Sequence, residues 1–277
     1  MLNLIIVITA RIFSNSYLNV LQKLLTNNGE RSSVVTFYTY FDLTVLGFIL
    51  CPMPVFTVKA LPFILIMGLL GALGNYFIIK ALSCGELSTL APINSYKPIV
   101  ALIIGILMLG EIPGVNEILG MIFIILGTFI LIGKKFTPAK AYLYRFLALI
   151  FSGTEAIFIK KVILLTDVPS AFIYWSIAGL IFASVIAFGH PIKISKPNIK
   201  TQLALIFMVG VMQYSTNYVF SKMNTAYALS LFQLSTIVSV FFGVNVFKES
   251  GLARKMTASA IMIIGAVIII LSGYHPV

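Results

Sequence analysis

The chain has 277 residues, 60% of them hydrophobic and only 10% charged, where a soluble domain carries about 25%. With a mean hydropathy of +1.05, such a chain cannot cover its own surface in water, which excludes a soluble fold. The net charge of +11 does not point to nucleic acid, because in a bilayer protein Lys and Arg gather in short loops at the membrane surface.

A bilayer core takes roughly 20 apolar residues per helix. By that measure the chain holds ten predicted spans: 2–25, 33–51, 60–82, 87–109, 116–133, 143–165, 169–189, 203–223, 227–247 and 256–273. The first lacks a basic start and carries Arg11 in its middle, so it is expected to be a retained helix and not a leader. Cys51 and Cys84 end consecutive spans, on opposite surfaces, so no disulfide is expected. The fold class is therefore all-α integral membrane, with ten transmembrane helices.

An internal echo organises these spans. Ile12-Phe13-Ser14 and Lys23 recur 138 residues later as Ile150-Phe151-Ser152 and Lys161. Gly105, Glu111 and Gly127 recur at the same offset as Gly243, Glu249 and Gly265. Asn75-Tyr76 with Lys80 recurs as Asn217-Tyr218 with Lys222, at offset 142. Residues 1–138 and 139–277 thus read as two five-helix repeats. An odd span number forces the second to enter the membrane from the opposite side, giving inverted repeats, an arrangement common among secondary transporters.

Four ionisable residues fall near span centres: Arg11, Asp42, Lys97 and Glu155. Charge at the bilayer centre costs at least about 2.5–3.5 kcal/mol, so such groups face the bundle interior, pair, or line a wet cavity. Polar neighbours favour the cavity. Residues three or four apart share a helix face, which puts Asn15, Asn19 and Gln22 with Arg11, Tyr38 with Asp42, Asn94 with Lys97 and Ser152 with Glu155. Span eight adds Gln213, Tyr214, Asn217 and Tyr218, and span nine adds Gln233 and Thr236. Tyr174 and Trp175, near a span start, are assigned to the interfacial belt. Pro92 and Pro98 interrupt span four around Lys97, freeing carbonyls that in lipid must be met by protein or a wet cavity.

Pro92, Pro98, a glycine-bearing apolar run and the closing Gly110-Glu111 resemble the EamA-type members of the drug/metabolite transporter superfamily. In the second half Glu249 matches the closing glutamate, Lys248 replaces the glycine before it, and neither proline is kept. The resemblance implies export or exchange of small metabolites, often amino acids, by alternating access. It makes Pro92, Pro98, Glu111 and Glu249 candidates for helix breaks and gating.

The substrate site is expected at Lys97, Asn94, Arg11, Asn15, Tyr38, Gln213, Tyr214, Asn217, Tyr218 and Gln233, with Glu155 or Asp42 facing an ammonium or carrying a coupling proton. The implied partners are a small-molecule substrate and the lipid bilayer, with no nucleic acid, no cofactor and no metal. A monomer or homodimer in a bacterial inner membrane is expected. Counting span ends with the loops, 13 Lys and Arg, Arg145 among them, are assigned to odd-numbered loops and four, Lys160 among them, to even-numbered loops, which puts both termini outside, whereas the resemblance implies cytoplasmic termini. The sequence carries no phosphate-binding loop, GxSxG elbow or metal-binding His/Glu cluster. A passive channel and a carrier of nucleoside-type metabolites are the alternatives.

Overall fold

The computed structural model describes residues 2–51, 53–110, 112, 114–131, 138–191, 193–247 and 252–272. Among these residues there are helices and turns and no strands. Among the described residues, helices fall within each of the predicted spans. In order these are α1 (Leu2–Asn27), α2 (Ser32–Leu50), α3 (Leu61–Leu82), α4 (Leu87–Leu90), α5 (Lys97–Leu109), α6 (Val115–Leu131), α7 (Ala139–Leu165), α8 (Val168–Ala187), α9 (Ile199–Phe220), α10 (Thr225–Phe232), α11 (Ser235–Phe247) and α12 (Leu252–Ser272). Six helical segments among the described residues are long and apolar enough to cross a membrane. Large apolar side chains such as Phe13, Phe48, Leu107, Phe129 and Phe207 stand exposed on the outside, as a lipid-facing surface requires. The chain is a multi-pass membrane protein.

Two predicted spans are broken. Between α4 and α5 the backbone tightens into a 3₁₀ run, Ala91–Tyr96, longer than the three or four residues usual for that geometry. Pro92 and Pro98 each occupy the first turn of a new element, where a missing N–H costs nothing. The prolines therefore start helices here instead of kinking one. The carbonyl of Leu90, at the break, accepts a 3.0 Å bond from Arg145 Nε. Arg145 is 2% exposed on α7, so its assignment to a loop by sequence is corrected. Span nine breaks at Gln233 and Leu234 without proline. Short-range bonds such as Thr236 N to Gln233 O, 2.8 Å, tighten the turn, and Gln233 Nε2 donates to Leu229 O at 2.8 Å.

The helices pack in pairs: α1 along α9, α3 along α7, α2 along α8 and α6 along α12. The α6–α12 pair is close because a Cβ at Gly127 would meet Ala258 O at 2.8 Å, and one at Gly265 would meet Gly120 O at 2.5 Å. The α5 helix closes on Gly110 at φ +67°, with its N–H bonded to Gly105 O. Glu111, Lys248 and Glu249 lie outside the described residues. Cys51 and Cys84 are both free.

Loops lock at both ends. Glu30, after α1, accepts hydrogen bonds from Ser195 N at 2.9 Å and from Asn198 Nδ2 at 2.8 Å in the α8–α9 loop, and from the Ser195 hydroxyl. At the other end Val55 N donates to Ser170 Oγ at 2.8 Å, and Tyr174 donates to Val55 O at 3.1 Å. Asp167 caps α8 by accepting from Ser170 N at 2.7 Å.

Candidate substrate cavity

A cavity of about 90 Å³ lies where the α1–α9 pair faces the α3–α7 pair. Arg11, Asn15, Asn19 and Gln22 line it from α1, and Gln213 and Thr216 from α9. Gly71 and Asn75 of α3 and Ser152 and Glu155 of α7 form the opposite wall, while α2 supplies Tyr40, α8 supplies Trp175 and α5 supplies Lys97. Long apolar helices hold these polar groups in register, because the rest of each helix is anchored in lipid or in the packed core.

The carboxylate wall is tightly built. Trp175 Nε1 donates to Glu155 Oε1 at 2.6 Å, and the Trp175 ring packs on Tyr40 with centroids 4.7 Å apart. A Cβ at Gly71 would collide with Glu155 Oε1 and come within 3.0 Å of the Tyr40 hydroxyl. Only glycine therefore lets α3 approach this close while the acid keeps its place. Trp175 is 5% exposed, which corrects its assignment to the interfacial belt. Tyr174, bonded to Val55 O and edge-on to Phe56 at 6.2 Å, does sit near the loop.

The α1–α9 wall carries Arg11, and α5 adds a second cation. Arg11 Nε donates to Thr216 Oγ1 at 2.7 Å, and its guanidinium lies 4.6 Å from the centroid of the Phe232 ring. Lys97 begins α5, which packs on α7, and so reaches the cavity from the side of the helix that carries Glu155. One Arg11 terminal nitrogen, Gln22 Oε1 and the Tyr40 hydroxyl are buried without hydrogen-bond partners. Buried polar atoms are nearly always paired, so these three cavity-wall groups are acceptors and donors for water or a solute. Asn15 Nδ2 instead donates to Ser235 Oγ at 3.1 Å and fixes α1 to the broken span nine.

The structure brings together Arg11, Asn15, Lys97, Glu155 and Gln213, and leaves the other expected residues off the cavity wall. Asn94 lies in the 3₁₀ run with its side-chain oxygen buried and unpartnered. Asp42 accepts from Gln202 at 3.3 Å, joining α2 to α9. Tyr38 packs edge-on to Phe37 and Phe41. Tyr214 is 45% exposed and packs edge-on to Phe172, and Tyr218 stacks under Lys222 at 5.9 Å. The Gln213 and Asn217 amides pair at 2.9 Å within α9, and Gln233 holds the break described above. Tyr40, Asn75, Thr216 and Trp175 were missed as site residues. The only sequence signal for Tyr40 was its place between polar residues Thr39 and Asp42; for Asn75 it was its part in the internal echo.

Residues 2–133 match the model of the EamA-like transporter family. No curated protein matches the chain in sequence. A solved structure described only as the crystal structure of a protein superposes with a TM-score of 0.76 at 15% identity, covering 97% of this chain and 98% of its own; at that identity the likeness is one of fold.

Proposed function

Since residues 2–133 match the EamA-like transporter family, we propose that the chain is a member of the drug/metabolite transporter superfamily and a secondary active transporter of a small zwitterionic or anionic metabolite, of amino-acid type. The observation that carries this reading is the cavity itself: Arg11, Lys97 and a single carboxylate, Glu155, line one space together with unpartnered polar atoms. The excess of cation on the wall suits a solute carboxylate at Lys97 and Arg11. Glu155 then faces the solute ammonium or carries a coupling proton.

Ligand pockets usually measure about 300–1,000 Å³, so a cavity of about 90 Å³ admits only small solutes unless its walls part. Alternating access supplies that motion. Ten spans arranged as inverted repeats, 1–138 and 139–277, provide the means: the α1–α9 and α3–α7 pairs exchange under such symmetry and rock against each other. Helix pairing supports this, since α2–α8 and α6–α12 map onto themselves and α5–α7 maps onto α11–α1. The expected setting is a bacterial inner membrane.

The test is a thermal-stability screen with amino acids, phosphorylated metabolites and nucleosides, on wild type and Lys97→Ala. A ligand at a hundredfold excess over its dissociation constant stabilises by about 2.7 kcal/mol. An amino acid that protects wild type and not a folded Lys97→Ala supports the site. Equal protection of both removes Lys97 from it.

A further inference from the structure

We propose that two hydrogen bonds act as the gate bars of the cavity, one at each end: Gln22 with Asn75, and Lys160 with the carbonyl of Met223. This rests on the transporter reading above. Gln22 is the cavity-lining residue of α1 nearest the Asn27 end, and its Nε2 donates to Asn75 Oδ1 of α3 at 3.0 Å. The bond therefore crosses from the α1–α9 pair to the α3–α7 pair. Lys160 follows Gln22 by the 138-residue offset of the internal echo. Its Nζ donates to Met223 O, in the turn after α9, at 3.0 Å, and so crosses between the same two pairs from α7. Because α1 and α7 enter from opposite ends, the two bars lie at opposite mouths. Glu30 and Ser170, by contrast, tie loops together at the surface.

The bars differ in chemistry. Gln22 with Asn75 is a neutral amide pair, and Gln22 leaves its own buried oxygen unpartnered. Lys160 makes a charge-assisted bond, the stronger type, and Phe220, a cavity-lining residue towards the end of α9 that leads to Met223, packs its ring 6.0 Å from that of Phe232. The Gln22 mouth is thus the easier one to open, and loosening either bar shifts the population towards opening at that end and closure at the other.

Spin-label distances measured in nanodiscs test this, on a Cys51→Ser, Cys84→Ser background. The Asn27→Cys/Ser83→Cys pair reports the Gln22 mouth, and the Leu164→Cys/Lys222→Cys pair reports the Lys160 mouth. Gln22→Leu is expected to raise the widened fraction of the first pair about fivefold while narrowing the second. Lys160→Met is expected to do the reverse, by about tenfold or more. Parallel widening at both mouths, or unchanged distances, would overturn the proposal. Should Lys160→Met not fold, a Gln22→Cys/Asn75→Cys pair joined by a bifunctional methanethiosulfonate decides. Counterflow must stop and return on reduction, and continued transport by the cross-linked protein sinks the bars. Absence of counterflow in wild type would instead sink the transporter reading, whereas counterflow with unresponsive distances sinks the bars alone.

Discussion

Gly71→Ala adds a single methyl group to the cavity wall where α3 meets Glu155 and Tyr40. Its Cβ would collide with Glu155 Oε1, and would stand 3.0 Å from the Tyr40 hydroxyl and 3.2 Å from Glu155 Cδ. Glu155 cannot retreat without stretching its 2.6 Å bond from Trp175. Overpacking of this kind costs about 1–3 kcal/mol, which is roughly a 5- to 150-fold loss of affinity if it falls on the bound state. The chain has one tryptophan, and Trp175 is that residue, so its emission reports the site directly. Titrating purified protein with the stabilising amino acid and following this emission gives the affinity. Gly210→Ala is the matched control, because its Cβ would make ordinary contacts at 3.5 and 3.6 Å with Leu46 and Leu43, residues off the cavity wall. The reasoning is refuted if Gly71→Ala binds as tightly as Gly210→Ala.

Three further outcomes are expected. Glu155→Gln should keep substrate binding and lose the response of uptake to a pH gradient; unchanged gradient-driven uptake would remove Glu155 from proton coupling. Arg145→Met removes the charged donor to the Leu90 carbonyl, at a cost of about 1.5–3 kcal/mol, and should lower the thermal midpoint by about 2–4 °C per kcal/mol; an unchanged midpoint would show that the helix break does not need its arginine. At the loop surface, burial works to raise the Glu30 carboxyl, but hydrogen bonds from Asn198 and Ser195 outweigh it and hold Glu30 below its ordinary value. Its stabilisation is therefore fully present above the unfolded carboxylate value, about 4.3, and is lost as pH falls through the lower folded value. Thermal melts from neutral to acid pH should fall more steeply for wild type than for Glu30→Gln, and parallel curves would deny the linkage.

Membrane class was legible in the sequence because length and apolarity of a span are set by bilayer thickness alone. Arg11, Lys97 and Glu155 were legible for the same reason: a charge within an apolar span has few places to go. Tyr40 and Trp175 were not, because an aromatic residue is at home in a belt, a core or a site, and only the packing of α2 and α8 on α3 and α7 decides among them. Arg145 and Lys160 were assigned to loops because they lie towards the ends of α7, yet both are buried, each donating to a main-chain carbonyl at or beside a helix end. Such carbonyls become visible only when the breaks are seen. Gln233 illustrates the converse. It was read as a ligand-binding amide, and its donor is spent on Leu229 O, because a break without proline needs another group to hold it.

The most direct test of transport is counterflow in proteoliposomes, using the amino acid that stabilises the purified protein. Vesicles loaded with unlabelled substrate should take up labelled substrate transiently and saturably, above its outside concentration, and Gly71→Ala should weaken that uptake. Labelled solute that merely equilibrates, at a rate linear in concentration and indifferent to the internal load, would contradict a carrier and mark the chain as a pore.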